Sequence, residues 1–598
     1  MHESASTPVA VGMILLLLGG LCSLTHAQNT QRPSAAKHIG GDGRKQIRAI
    51  RVPSNVLALD GRLDDEVWQE AFFVSDFLQK EPHEGAPPRE KTEVGFLYDD
   101  DALYVGARMH SNNPEAIRAL VTRRDKEGSS DQLIVSLDAY RDRRTAYSFG
   151  VTAAGVRIDY YHPRDDADER DYTFDAVWEA KTALDSGGWT TEMRIPFSQL
   201  RFNKRETQVW GVNLNRRIPS RNEDLFGVLI PKDDTGWASR FGELVGIEGI
   251  KPSRRLELLP YTAGNATFTS DTDPNNPFDE KRDFVGRAGA DFKMGLGPNA
   301  TLFGTVNPDF GQVEADPAEV NLSQFETLFA DRRPFFTEGF QFLGGTRLQG
   351  GTRSTLFYTR RIGLPPRGHA EGDYIETPNS TTILGATKVT GRLASGLSIG
   401  ALSALTARES AKTFDTATVS FDKTEVEPLT SFNVFRLQQE FGPSTSTVGL
   451  MLTAVRRDVS ADDSLAQRLS RQAYAGGGNW NLRFEGGKYE LSGELGFSFI
   501  EGERGAIERV QRSSTHYFQR PDATHITLDP ERTSLFGYLG LVQLRKKSGR
   551  HWLWEVRAST ESPAFAPNDL ALQFTSDDID VRGNLRYRET KPTKLLHN

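Results

Sequence analysis

Residues 488–499 read Lys488-Tyr489-Glu490-Leu491-Ser492-Gly493-Glu494-Leu495-Gly496-Phe497-Ser498-Phe499, and this stretch decides the fold of the C-terminal half. Tyr489, Leu491, Leu495, Phe497 and Phe499 share one parity; Lys488, Glu490, Ser492, Glu494 and Ser498 share the other. Successive side chains of an extended chain leave on opposite faces, so this is a strand with one apolar face and one wet face. Outward from it the pattern recurs. Phe284, Ala288, Ala290, Phe292 and Met294 oppose Arg287, Asp291 and Lys293, and Tyr474, Trp480, Leu482 and Phe484 share a side. Similar runs lie near Leu256, Leu302, Leu356, Ile383, Leu397, Phe432, Val448, Leu535 and Trp552. Runs of about ten residues with charge on the inward face and aromatics near the ends match a transmembrane barrel. A soluble solenoid or propeller would show a fixed-period repeat, and none is visible.

From Arg51 to about Ile250 the pattern differs. Short runs (Lys91 to Tyr98, Leu103 to Ala107, Gln132 to Asp138, Ala146 to Val151, Val177 to Ala183, Trp189 to Ile195, Val209 to Asn215) are separated by Gly and Asp turns. This predicts a β-sandwich, with short helical turns at Pro114 to Leu120 and Phe197 to Leu200. The fold class expected is therefore all-β: a sandwich over 51–250, then an antiparallel barrel over 251–598 with an insert at 307–345.

The 598 residues carry 25% charged side chains and a formal net charge of -8, without a polybasic tract, which argues against nucleic acid as a partner. The apolar run Val9 to Leu24 is followed by Thr25-His26-Ala27. This is a signal-peptide pattern with cleavage after Ala27, although no Lys or Arg precedes the core. Cys22 lies inside that run, so the exported chain holds no thiol; 28–50 reads as a polar linker.

Leu59-Asp60-Gly61-Arg62-Leu63-Asp64-Asp65-Glu66-Val67-Trp68, with Trp178-Glu179-Ala180 and Gly188-Trp189-Thr190-Thr191-Glu192-Met193-Arg194-Ile195-Pro196-Phe197, resembles family 9 carbohydrate-binding modules. Asn307-Pro308-Asp309-Phe310-Gly311-Gln312-Val313-Glu314-Ala315-Asp316-Pro317 and Arg332-Arg333-Pro334-Phe335-Phe336-Thr337-Glu338-Gly339 resemble a bacterial envelope family that joins such a module to a barrel domain of unknown function. The resemblance implies an outer-membrane location, with glycan and lipid as partners, and a protein of glycan binding or uptake. It implies two alternatives as well: a glycoside hydrolase of carbohydrate catabolism, by association only, and a non-catalytic component of envelope structure or assembly. Trp68 and Trp189 belong to the shared pattern and are expected in the core. Tyr160, Tyr161, Trp178 and Trp237 lie nearer turns and are the candidates for stacking on sugar, with core packing the competing reading. Modules of this kind often bind calcium, for which Asp165, Asp166, Asp168, Glu169 and Asp171 are the candidate ligands and a solvated loop the alternative. Asp271, Asp273, Asp279 and Glu280 form a weaker acidic group.

The segment 307–339 interrupts the alternation. It is expected either to fold into the lumen, with a helix over Val320 to Phe329 and Arg332 and Arg333 paired to strand carboxylates, or to form a surface loop. Gly396-Leu397-Ser398-Ile399-Gly400 matches a nucleophile-elbow string but sits in an alternating run, which argues against catalysis there. The chain stops at Lys591-Pro592-Thr593-Lys594-Leu595-Leu596-His597-Asn598 without the aromatic residue that usually ends such barrels. That ending implies truncation or a frameshift, and a sheet with open edges.

Overall fold

The computed structural model describes His38–Ile39 and residues 43–589, except 55, 173, 251–255, 271, 298, 309–321, 323–325, 328, 330, 345–354, 394, 443, 445 and 461–462. The leader, Cys22, Asp271 and most of the helix expected over Val320 to Phe329 lie outside the described residues.

Ten principal strands build the first half: β1 (Lys45–Arg51), β2 (Thr92–Tyr98), β3 (Ala102–His110), β4 (Gln132–Asp138), β5 (Ala146–Thr152), β6 (Arg157–His162), β7 (Glu179–Asp185), β8 (Gly188–Pro196), β9 (Thr207–Ile218) and β10 (Gly242–Glu248). Their order is β6-β5-β4-β9-β10-β1-β2-β3-β8-β7. The corner of the sandwich is β1. Its Gln46, Ile47 and Arg48 pair in parallel with Glu243, Leu244 and Val245, and its Ala49, Ile50 and Arg51 then pair with Phe96, Leu97 and Tyr98 of the other sheet. Phe96, Val105 and Met193 from one layer and Leu133, Phe149 and Leu214 from the other share one buried core, as face-to-face packing requires. Trp68 and Trp189 are buried, and the expected helical turns appear as single 3-10 turns at Pro114–Ala116 and Phe197–Gln199.

Twelve strands build the main sheet of the second half: β11 (Leu256–Phe268), β12 (Arg282–Leu296), β13 (Ala300–Val306), β14 (Ile383–Arg392), β15 (Leu397–Thr406), β16 (Thr430–Phe441), β17 (Ser446–Arg457), β18 (Gln472–Phe484), β19 (Tyr489–Glu501), β20 (Ser534–Lys546), β21 (Trp552–Glu561) and β22 (Asp578–Tyr587). Each pairs antiparallel with the next, and among the described residues no pairing joins β11 to β22. The parity read from residues 488–499 holds. Glu490, Glu494 and Ser498 are buried inside the curl of the sheet, whereas Leu495 and Phe497 face outward and are exposed. Phe435, Leu450, Phe536, Val542 and Val556 extend that apolar outer wall. Phe441, Phe484, Trp552 and Tyr587 girdle one end of it, and Phe268, Phe284, Phe536 and Tyr538 lie toward the other.

The connections are unequal. On the side of the sandwich they run over 297–299, 393–396, 442–445, 485–488 and 547–551, and on the far side over 269–281, 307–382, 407–429, 458–471, 502–533 and 562–577. Parts of the long connections fold back inside the sheet. Phe335, Phe336, Phe357, Ile507, Phe518 and Phe565 form one cluster with Ala386, Leu402, Val434, Met451, Ile500 and Leu539 of the inner wall. The run near Leu356, expected as a strand, belongs to this filling. Thr355 makes one bridge to Leu572, and Leu356, Phe357 and Ile362 bury their side chains in the interior. Arg333 pairs with Asp331, two residues away. The last strand, Asp578–Tyr587, lies beyond the alternating runs of the sequence, of which the run near Trp552 is the last.

Candidate functional site

The two halves of the sandwich motif meet at one carboxylate. Glu192 accepts from Trp68 Nε1 at 2.8 Å, from the Gly61 amide at 2.9 Å and from the Asp60 amide at 3.0 Å. Burial raises its pKa, and these donors oppose that rise. A Cβ on Gly61, whose φ is +90°, would lie 2.7 Å from the Thr182 backbone, so glycine is required there. The motif is a structural clamp.

The four aromatic residues expected to stack on sugar are all buried. Trp178 sets its edge on Phe149 and donates to Asp159 at 3.1 Å. Trp237 packs against Phe226, Phe241 and His162. Tyr160 lies between His162, Tyr172 and the Arg170 guanidinium, 4.8 Å from its ring, and Tyr161 packs on Tyr147. A stacking platform on the outer surface needs an exposed ring face, and all four residues are buried, Tyr161 beside an internal chamber.

The acidic run does not converge either. Among the described residues no three His, Cys, Asp or Glu side chains are grouped to hold a metal ion. Asp165 accepts from the amides of Trp237 and Ser239 and pairs with Arg483 of the barrel at 3.5 Å. Asp166 pairs with Lys547 at 3.2 Å, and Glu169 pairs with Arg164 at 2.9 Å. Asp168 and Asp171 border an internal chamber. The carboxylates of Asp165 and Asp166 thus dock the sandwich on the barrel.

That dock has a buried centre. Arg144 and Arg392 both pair with Glu440, and Arg392 also reaches Asp142 at 3.2 Å. Burial, with Arg392 close by, pulls the Arg144 pKa down to about 9. His162 supports the docking loop from below. Its Nδ1 donates to the carbonyls of Asp166 and Glu169, both at 3.1 Å, and burial, then the nearby Arg170, lowers its pKa to about 4.

Between this loop and the inner wall lies a chamber of about 540 Å³. Arg164 and Tyr161 border it from the sandwich, Arg436, Glu494 and Gln543 from the barrel, and Phe340 and Phe342 from the in-folded connection. Glu494 was legible beforehand as a wet-face residue; Arg144, Arg436 and Glu440 carried no signal in spacing or motif. Ser398 also borders the chamber, but it lies on β15 with no strand-to-helix turn around it. A larger concavity of about 770 Å³ sits on the outer wall among Val389, Phe435, Leu452 and Phe499, on the apolar side of the sheet.

The family model described as "Domain of unknown function (DUF5916)" matches residues 252–598. The chain belongs to the DUF5916 family. The DUF5916 region therefore coincides with the twelve-stranded sheet. No curated protein matches the chain. Among solved structures, similar ones include a family 9 carbohydrate-binding module from Caldicellulosiruptor kristjanssonii in complex with cellotriose, at 17% identity and TM-score 0.25, covering 34% of this chain and 100% of that one. A putative carbohydrate-binding protein from Bacteroides uniformis matches at 13% identity and TM-score 0.27, covering 34% and 99%. The outer membrane channel DcaP of Acinetobacter baumannii matches at 8% identity and TM-score 0.23, covering 78% and 100%.

Proposed function

We propose that this chain is an outer-membrane protein whose sandwich covers the periplasmic mouth of its barrel and serves glycan binding or uptake. The observation that carries the reading is the two-faced sheet: an exposed apolar wall with aromatic residues at its ends, curled around charged and hydroxylic side chains. Water outside such a wall would leave many apolar side chains solvated, whereas lipid satisfies them. Strands of 10 to 13 residues, such as β14, β19 and β20, suit the ~9–11 residues needed to cross a bilayer. Outer-membrane barrels keep short turns on the periplasmic side, and the short connections here lie on the side of the sandwich, which supports the orientation. The glycan part rests on the resemblance that the sequence around Asp60, Trp178 and Glu192 bears to family 9 carbohydrate-binding modules.

Fractionation of expressing cells tests the location: heat-modifiable migration from the outer membrane is expected, and a mature polypeptide monodisperse in buffer without detergent would sink the reading. Protease added to intact cells is expected to spare the sandwich until the outer membrane is permeabilised. Affinity electrophoresis on a glycan panel, run beside a reducing-sugar assay, is expected to give retardation without sugar release. Release would favour the hydrolase, and neither response the assembly component.

A further inference from the structure

We propose that the chamber between the docking loop and the barrel wall is a binding site for a small polyhydroxylated solute of mono- or disaccharide size. This rests on the glycan reading above and goes beyond it by placing a site inside the barrel, away from the sandwich surface.

The argument starts from an unmet hydrogen-bonding demand. Glu494 is 7% exposed, and its Oε2 has no hydrogen-bond partner. Across the same chamber Arg436 is 6% exposed, and its one hydrogen bond among the described residues runs from Nη2 to Gln438 Oε1 at 3.0 Å. No ion pair joins the two among the described residues. Asn481 Oδ1 borders the chamber and is likewise buried without a partner, and Gln543 uses its carbonyl oxygen to accept from Ser492. A buried carboxylate or guanidinium lacking partners is costly, so whatever fills this space must supply both donors and acceptors.

The remaining cations narrow the chemistry. Arg144 and Arg392 are met by Glu440 and Asp142, Arg483 and Arg545 by Glu490 and Asp165, Arg164 by Glu169, and Arg170 by Glu127. A phosphate or sulfate would find Arg436 as the one guanidinium lining the chamber without a carboxylate partner among the described residues, and would meet Glu494 beside it. A sugar hydroxyl gives one donor and two acceptor positions, which suits a carboxylate and a guanidinium on opposing walls. Phe340 and Phe342 add apolar surface for the C–H faces of a ring. The volume of about 540 Å³ lies within the ~300–1,000 Å³ of small-molecule sites.

The test uses the full chain in detergent, titrated with glucose, xylose, glucuronate and inorganic phosphate and read by saturation-transfer NMR. Glucose or xylose binding is expected in the parent. In Glu494→Gln and Arg436→Gln it is expected to weaken about tenfold or more, as for the loss of a hydrogen bond to a charged group. Ser492→Trp, which fills the chamber while keeping Glu494 and Arg436, is expected to abolish it, provided each variant keeps heat-modifiable migration. Sugar binding undiminished in all three variants would overturn the chamber site and leave the glycan reading standing on the sandwich. Binding of phosphate in preference to the sugars would overturn the neutral-solute assignment. No binding of any sugar to the parent would remove both readings.

Discussion

Glu192 and His162 each hold a loop by satisfying backbone groups that have no other buried partner. Replacing Glu192 by Ala strips the buried Trp68 indole and the Asp60 and Gly61 amides of their acceptor at once. The expected loss is about 3–5 kcal/mol, visible as a lower urea midpoint of the sandwich by tryptophan fluorescence. A midpoint within error of the parent would contradict the clamp. His162 makes stability depend on pH. Its folded pKa of about 4 lies below the ordinary value of 6.5, so the neutral ring is the form the fold accepts. The contribution is complete above pH 6.5 and disappears as pH falls toward 4, amounting to about 3 kcal/mol by linkage. Urea melts at pH 7 and pH 4 should therefore differ by less in His162→Gln than in the parent. At this scale sequence reading placed Trp68 and Trp189 in the core, because they stand within a recognisable pattern. Tyr160 and Trp178 stand beside turns and read as candidate platforms with core packing the competing reading; the inter-sheet core covers Trp178, whereas His162, Tyr172 and Arg170 cover Tyr160.

At the scale of the strand, alternation carries its own test. Leu495 sits midway along β19 with its side chain on the outer wall. In lipid, Leu495→Arg should lower folding stability by about 2–4 kcal/mol, measured by urea titration into vesicles, because a guanidinium near the midplane of a bilayer loses its hydration. The same change at Ser492, on the wet face, is expected to cost far less in that assay. Equal costs would mean that both faces meet water. Strands were legible wherever alternation ran uninterrupted, as in β19 and β20. The run near Leu356 misled because an apolar residue that fills a lumen and one that faces lipid look alike in one dimension.

Across the whole molecule, one buried cluster ties the sandwich to the barrel. Glu440→Ala would leave Arg144 and Arg392 buried with Asp142 alone. Breaking a buried pair costs about 3–5 kcal/mol, so hydrogen exchange over the docking loop 163–171 is expected to speed up on the order of a hundredfold. Unchanged exchange would mean that the loop is held by other contacts. The acidic run read as a candidate calcium site finds its use here, in ion pairs with Arg483 and Lys547.

The sequence alone determined that this chain is all-β, with compact strands before two-faced ones, because side-chain parity along an extended backbone is a local property. The tertiary structure decided where the faces meet: which acid answers which base, which aromatic rings are covered, and that Glu494 and Arg436 share a chamber. Those facts depend on contacts between residues hundreds of positions apart, as between Arg144 and Glu440, and no period or motif in the chain encodes them.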